Sequence, residues 1–183
     1  QNAFAGVQSV MEACPELQGT INRLSVSEKG FMACDGNTVY FNPKYFSNPE
    51  LLQKAFDLNV ERGQWVKNCN VGAMGAHEAG HALEQVLIDR NSSYKTQADR
   101  NSAWFSSLES ERICQTAYDN IVRRTGTLDS RADQTGKISG YATKNTSEAM
   151  AEAFADVYAN GKNATPISKE IVRLAKEELR RRA

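Results

Sequence analysis

Asn70-Val-Gly-Ala-Met-Gly-Ala-His-Glu-Ala-Gly-His-Ala-Leu-Glu-Gln-Val-Leu-Ile-Asp-Arg90 is the stretch from which the fold is read. Residues around most of its circumference are small or apolar, which suits a helix buried among other elements. His77 and His81 stand at i and i+4, one above the other on the same face, so both imidazoles can reach a single cation. Glu78 follows the first histidine and lies about 100° round the helix. That offset lets it miss the cation yet reach a water beside it as a general base. Imidazole suits Zn²⁺ at ~2.0–2.1 Å, and a catalytic zinc keeps three protein ligands and an open position.

On the N-terminal side, Ala3–Leu17 reads as a helix, apolar at Phe4, Val7, Val10 and Met11 and stopped near Pro15 and Gly19. Three short strands are expected at Thr20–Val26, Gly30–Cys34 and Thr38–Asn42, with Asp35-Gly36-Asn37 as a hairpin turn. Pro43 closes that sheet, and Pro49 opens a helix to about Val60. On the C-terminal side, a polar stretch from Asn91 to Asn101 leads to a helix over Ala103–Arg124 that Gly126 ends. Thr127–Lys144 has loop composition, and two helices, Thr146–Asn160 and Ile167–Arg180, finish the chain. The closing Arg180-Arg181-Arg182 run reads as a solvated basic helix end. The fold expected is α+β and mostly helical. It is a single domain over residues 1–183, with a small antiparallel or mixed N-terminal sheet over the metal-binding helix.

A zinc site needs a third ligand, and the chain has only two histidines. That excludes the HExxHxxGxxH pattern. Glu84 and Asp89 share the helix of the histidines and cannot fold back onto the cation. The remaining contenders are Glu109 or Glu111 on one helix, and Glu148, Glu152 or Asp156 on another. Glu109 and Glu111 lie in a polar run, where solvation accounts for them. Glu148, Glu152 and Asp156 recur at i, i+4 and i+8 on a helix otherwise made of Ala, Met, Phe, Val and Tyr. Burying such a stripe unpaired costs several kcal/mol, which a divalent cation and its histidines would offset. Glu148 stands first in that order and Glu152 next.

Tyr141-Ala-Thr-Lys-Asn-Thr-Ser-Glu148, followed by Ala-Met-Ala-Glu152-Ala-Phe-Ala, taken with His77-Glu-Ala-Gly-His81, resembles the anthrax lethal factor catalytic domain and its relatives. That gluzincin group includes Pro-Pro endopeptidases and metallopeptidase-like domains attached to phage head-morphogenesis proteins. The resemblance covers Val71–Val86 and Ile138–Tyr158. It implies His77, His81 and Glu148 as zinc ligands, Glu78 as general base, and Tyr141 as the phenol that stabilises the oxyanion. Glu152 would be the acid that orients a ligand histidine. The span from His81 to Tyr141 is long for this group and carries the extra helix over Ala103–Arg124.

The activity expected is zinc-dependent hydrolysis of peptide bonds, with one Zn²⁺ per chain, a protein or peptide as substrate, and Thr38–Asn42 as the strand that pairs with it. Two other classes stand beside it: a non-catalytic zinc-binding docking domain of a larger, phage-type assembly protein, and a helical interaction module with no metal. Lys+Arg and Asp+Glu each count 22 in 183 residues, so net charge gives no general pull towards nucleic acid or anionic membrane. No apolar run approaches the ~20 residues of a membrane helix. Cys14, Cys34, Cys69 and Cys114 form no CxxC pair and read as buried reduced thiols. With no initiator Met and no signal-like N-terminus, the chain is taken as part of a longer bacterial or phage protein, with a leaning towards an intracellular setting.

Overall fold

The computed structural model describes residues 3–183 and is α+β, mostly helical, with one three-stranded mixed sheet. Helix α1 (Phe4–Ala13) ends where Pro15 forces a 3₁₀ turn over Pro15–Leu17. The sheet follows as β1 (Arg23–Val26), β2 (Met32–Asp35) and β3 (Thr38–Phe41). Its order is β1-β3-β2, with β3 parallel to β1 and antiparallel to β2. Gly36 takes φ +56° in the tight β2–β3 turn, a backbone angle that glycine adopts without steric cost. Thr38–Phe41 is therefore the central strand, with both edges already paired. The strand expected to pair with a peptide thus has no free edge, and the edges of the sheet are β1 and β2.

Asn42 caps the one-turn helix α2 (Pro43–Phe46), and Asn48 caps α3 (Pro49–Glu61). The histidine helix is α4 (Gly72–Asp89). Beyond it the expected helix over Ala103–Arg124 is two helices, α5 (Gln97–Phe105) and α6 (Leu108–Thr125). A Thr96/Asp99 capping box starts α5 early. Ser107, in the left-handed region at φ +52°, breaks the run. The expected loop over Thr127–Lys144 contains α7 (Arg131–Gly136), started by a Ser130/Asp133 capping box, and a 3₁₀ turn over Tyr141–Thr143. The chain closes with α8 (Thr146–Asn160) and α9 (Pro166–Arg181).

Helix α4 lies at the centre, with α1 on one side and α8 on the other. Small residues allow that closeness. A methyl group at Gly6 or Gly75 would collide with the carbonyl oxygen of Gly72 or Ala3, and one at Gly80 would lie 2.9 Å from Ala151 Cα. Leu83, Leu87, Ile113, Met150, Ile167 and Leu179 fill the main core, each side chain worth about 1.5–3 kcal/mol when fully buried. A second apolar cluster joins the sheet and α3 to the first half of α4 through Met32, Val39, Phe56, Val71 and Met74.

Arg182 departs from the solvated end expected of it. Its guanidinium donates to Leu87 O at 2.6 Å and pairs with Glu109 and Glu178, so α9 is locked onto α4 and α6. All four cysteines are free thiols, Cys14 and Cys114 buried. Burial pushes the Cys34 and Cys69 thiols up to about 12, with nearby carboxylates adding to the rise. Among the described residues, no helix is long and apolar enough to cross a membrane.

Candidate metal centre

Helix α4 presents His77 and His81 one turn apart, and α8 crosses it so that Glu148, in the first turn of α8, faces both. The Asn145 side chain caps α8 by accepting from the Glu148 N–H at 2.8 Å, which fixes where that turn begins. Three donor atoms converge. His77 Nε2 and His81 Nε2 are 3.1 Å apart, and Glu148 Oε2 lies 3.2 Å from the first and 3.3 Å from the second. Among the described residues these three side chains form the group of His, Cys, Asp and Glu that could hold a metal ion.

The donor set fits a zinc-type ion. A tetrahedral cation with ligands at ~2.0–2.1 Å has ligand–ligand edges of about 3.3 Å, which the triangle matches. Glu148 Oε2 is buried and has no hydrogen-bond partner, an arrangement that a cation would satisfy. Burial works against ionisation of Glu148, yet the two imidazoles beside it hold its carboxyl well below the usual range. Burial likewise works against a charged His77. The nearby Glu148 carboxylate and the bond to Glu152 outweigh that and raise its affinity for a proton. A bound cation would take the place of that proton.

Glu152, one turn beyond Glu148, is buried, and its Oε1 accepts from His77 Nδ1 at 2.8 Å. A carboxylate can only accept, so this bond puts the His77 proton on Nδ1 and leaves the Nε2 lone pair for the triangle. Glu78 is 7% exposed and takes a hydrogen bond from the backbone of Cys34 on β2. Burial raises its carboxyl, the charge of Glu148 adds to the rise, and His77 and His81 oppose it. Tyr141 opens the 3₁₀ turn before α8, with its ring centroid 5.9 Å from that of His77. The Gly140 N–H donates to Gly63 O at 2.7 Å and the Tyr141 N–H to Gln64 O at 2.9 Å, which clamps the turn to the loop after α3.

All six residues singled out for the site, His77, Glu78, His81, Tyr141, Glu148 and Glu152, thus meet in one place. The other acids go elsewhere. Glu109 is buried against Arg112, Arg182 and Asn91, and Glu111 pairs with Arg131. Asp156 accepts from Thr165 N and Oγ1 and from Asn160, which ties α8 to the start of α9.

Four further residues surround the site with no role expected from the sequence, Glu84 having been set aside as a ligand. Ser147 and the buried Glu84 stand behind His81. The Trp104 ring lies 6.2 Å from the His81 ring, edge to face. Lys144 Nζ donates to the Tyr141 phenol oxygen at 3.2 Å. Glu84 had a visible signal, a carboxylate between Leu83 and Val86 on a helix with almost no other charge. Ser147, among polar helix-start residues, had none.

Two cavities flank the triad. One, of about 310 Å³, is walled by Phe31, Phe56, Trp65 and Met74 and reaches His77, Glu78 and Tyr141. The other, of about 360 Å³, is bounded by Trp104, Phe105, His81, Ser147 and Glu148. Met32 on the edge strand β2 lines both. No protein-family model, curated protein or solved structure matches the chain.

Proposed function

We propose that the chain is a zinc-dependent endopeptidase domain of the gluzincin kind that its sequence resembles. The observation that carries this reading is the triangle of His77 Nε2, His81 Nε2 and Glu148 Oε2, with edges of 3.1–3.3 Å and a buried carboxylate oxygen that lacks a partner. His77, His81 and Glu148 would hold the ion, which supplies Lewis acidity towards a water and a peptide carbonyl. Glu78, adjacent to the triad and raised by burial, takes the proton of the attacking water. It then returns that proton to the amine as the C–N bond breaks. Tyr141 donates its phenol O–H to the oxygen that gains charge, and the Lys144 ammonium on the phenol oxygen makes it a stronger donor.

The substrate backbone pairs with β2, the edge strand that borders both cavities. A residue beside the scissile bond seats its side chain between Phe31, Phe56, Trp65 and Met74. Zinc content by elemental analysis, followed by cleavage of a peptide library, tests the proposal. One zinc per chain with cleavage that Glu78→Gln abolishes is the expected result. Zinc without cleavage of any peptide would instead favour a docking domain, and no zinc uptake would leave a helical interaction module.

A further inference from the structure

We propose that Ser147 and Glu84 are positioning residues for His81, and that α6 anchors Glu84 from behind. The inference rests on the zinc reading and concerns how the two histidines are held, which differs between them. His77 Nδ1 donates directly to the Glu152 carboxylate. The Nδ1 partner of His81 is instead Ser147 Oγ, at 3.2 Å. Ser147 Oγ lies in turn 2.5 Å from Glu84 Oε2, and Glu84 Oε1 accepts from the Ser110 backbone N–H at 3.2 Å.

The direction of each bond follows from donor arithmetic. A carboxylate accepts and cannot donate, and a serine has one O–H and two lone pairs. Ser147 therefore gives its proton to Glu84 and accepts from His81 Nδ1–H. That places the His81 lone pair on Nε2, the atom at the triangle's corner. Helix packing alone does not account for these residues. The α8 terminus is already capped by Asn145, so the Ser147 hydroxyl is not needed there. Glu84 is wholly buried between fully buried Leu83 and Leu87, where a carboxylate with no task costs several kcal/mol.

Two consequences follow from this geometry. Ser147 precedes Glu148, so a single turn of α8 supplies one corner of the triangle and orients another. Ser110 lies on α6, so that helix takes part in the site without reaching the triangle itself.

Zinc affinity, measured by titrating metal-free protein against a chromophoric chelator, tests the relay. Ser147→Ala is expected to bind Zn²⁺ about 10–100-fold more weakly. Ser147→Thr, which keeps the hydroxyl, restores the parent affinity. The double variant Ser147→Ala/Glu84→Gln binds no more weakly than Ser147→Ala, because the relay is already cut. Cobalt substituted for zinc shows an altered visible spectrum in Ser147→Ala and the parent spectrum in Ser147→Thr. If Glu84→Gln fails to fold, the two Ser147 variants decide alone. Parent-like affinity in Ser147→Ala, or no rescue by Ser147→Thr, overturns the relay. A parent that takes up no zinc overturns the metal reading beneath it, and that failure shows before any variant is made.

Discussion

Glu78 and Glu148 are both carboxylates within reach of His77 and His81, yet their surroundings drive them apart. Burial dominates at Glu78 and lifts it, whereas the imidazoles overcome burial at Glu148 and hold it ionised. Opposed shifts in neighbouring acids separate a proton carrier from a fixed charge. Glu78→Gln is accordingly expected to keep one zinc per chain while turnover falls by about 10²–10⁴-fold. Glu148→Ala is expected to lose zinc itself, as equilibrium dialysis would show. Full metal affinity in Glu148→Ala would sink its role as ligand. At this scale the sequence was informative. Helical spacing alone put His77, Glu78 and His81 on neighbouring faces, and an acidic stripe in apolar company marked the helix of Glu148 and Glu152. The partner of His81 was hidden because it lies on α8, and no local spacing encodes a bond between residues 66 positions apart.

Among the elements, α4 and α8 were legible because each is long, apolar and periodic. The α5–α6 break and α7 were less so. Their start signals are capping boxes closed by Asp99 and Asp133 within otherwise polar runs. Strand order was not legible, since three strands of four residues leave little pattern with which to choose a partner. The end of α9 shows how much tertiary context adds. Arg182 lies between Glu109 and Glu178, and removing it leaves the buried Glu109 with fewer partners. Arg182→Ala is expected to cost about 3 kcal/mol in urea unfolding. Arg181 and its neighbours depress the Glu178 carboxyl to about 2, against burial that opposes the shift. A carboxyl whose folded value lies below its unfolded one, ~4.3, stabilises the fold above that unfolded value. The contribution is lost as pH falls towards 2. The stability gap between parent and Glu178→Gln is therefore expected to be full at pH 6 and to close between about pH 4.3 and 2.

Over the whole molecule, the site draws on several parts: α4, the first turn of α8, the turn of Tyr141, β2 and the α5–α6 corner. On the proposed zinc reading, an ion held by α4 and α8 together would cross-link two helices of the main core, so its removal would have a global cost. Chelation is expected to lower Tm, and the stabilisation by zinc should grow with its concentration, reaching about 4 kcal/mol at a thousandfold excess over Kd. On the proposed function, the apolar cavity would set what the cleft prefers. Trp65 packs on Phe31 and Phe56 at centroid distances of 5.1 and 4.7 Å, and the backbone of its neighbour Gln64 holds Tyr141. The wall proposed to receive the substrate side chain is thus joined to the turn that carries the Tyr141 phenol. In an apolar pocket each methylene is worth about 10–200-fold in kcat/KM. Peptides with Phe, Leu or Met beside the scissile bond should accordingly outrun their Ala or Asp counterparts by at least about tenfold. Trp65→Ala should flatten that ranking while leaving zinc affinity unchanged, because the Trp65 ring packs on Phe31 and Phe56 rather than serving as a ligand. A parent enzyme that cleaves Asp and Phe peptides equally well would show that the cavity does not receive the substrate.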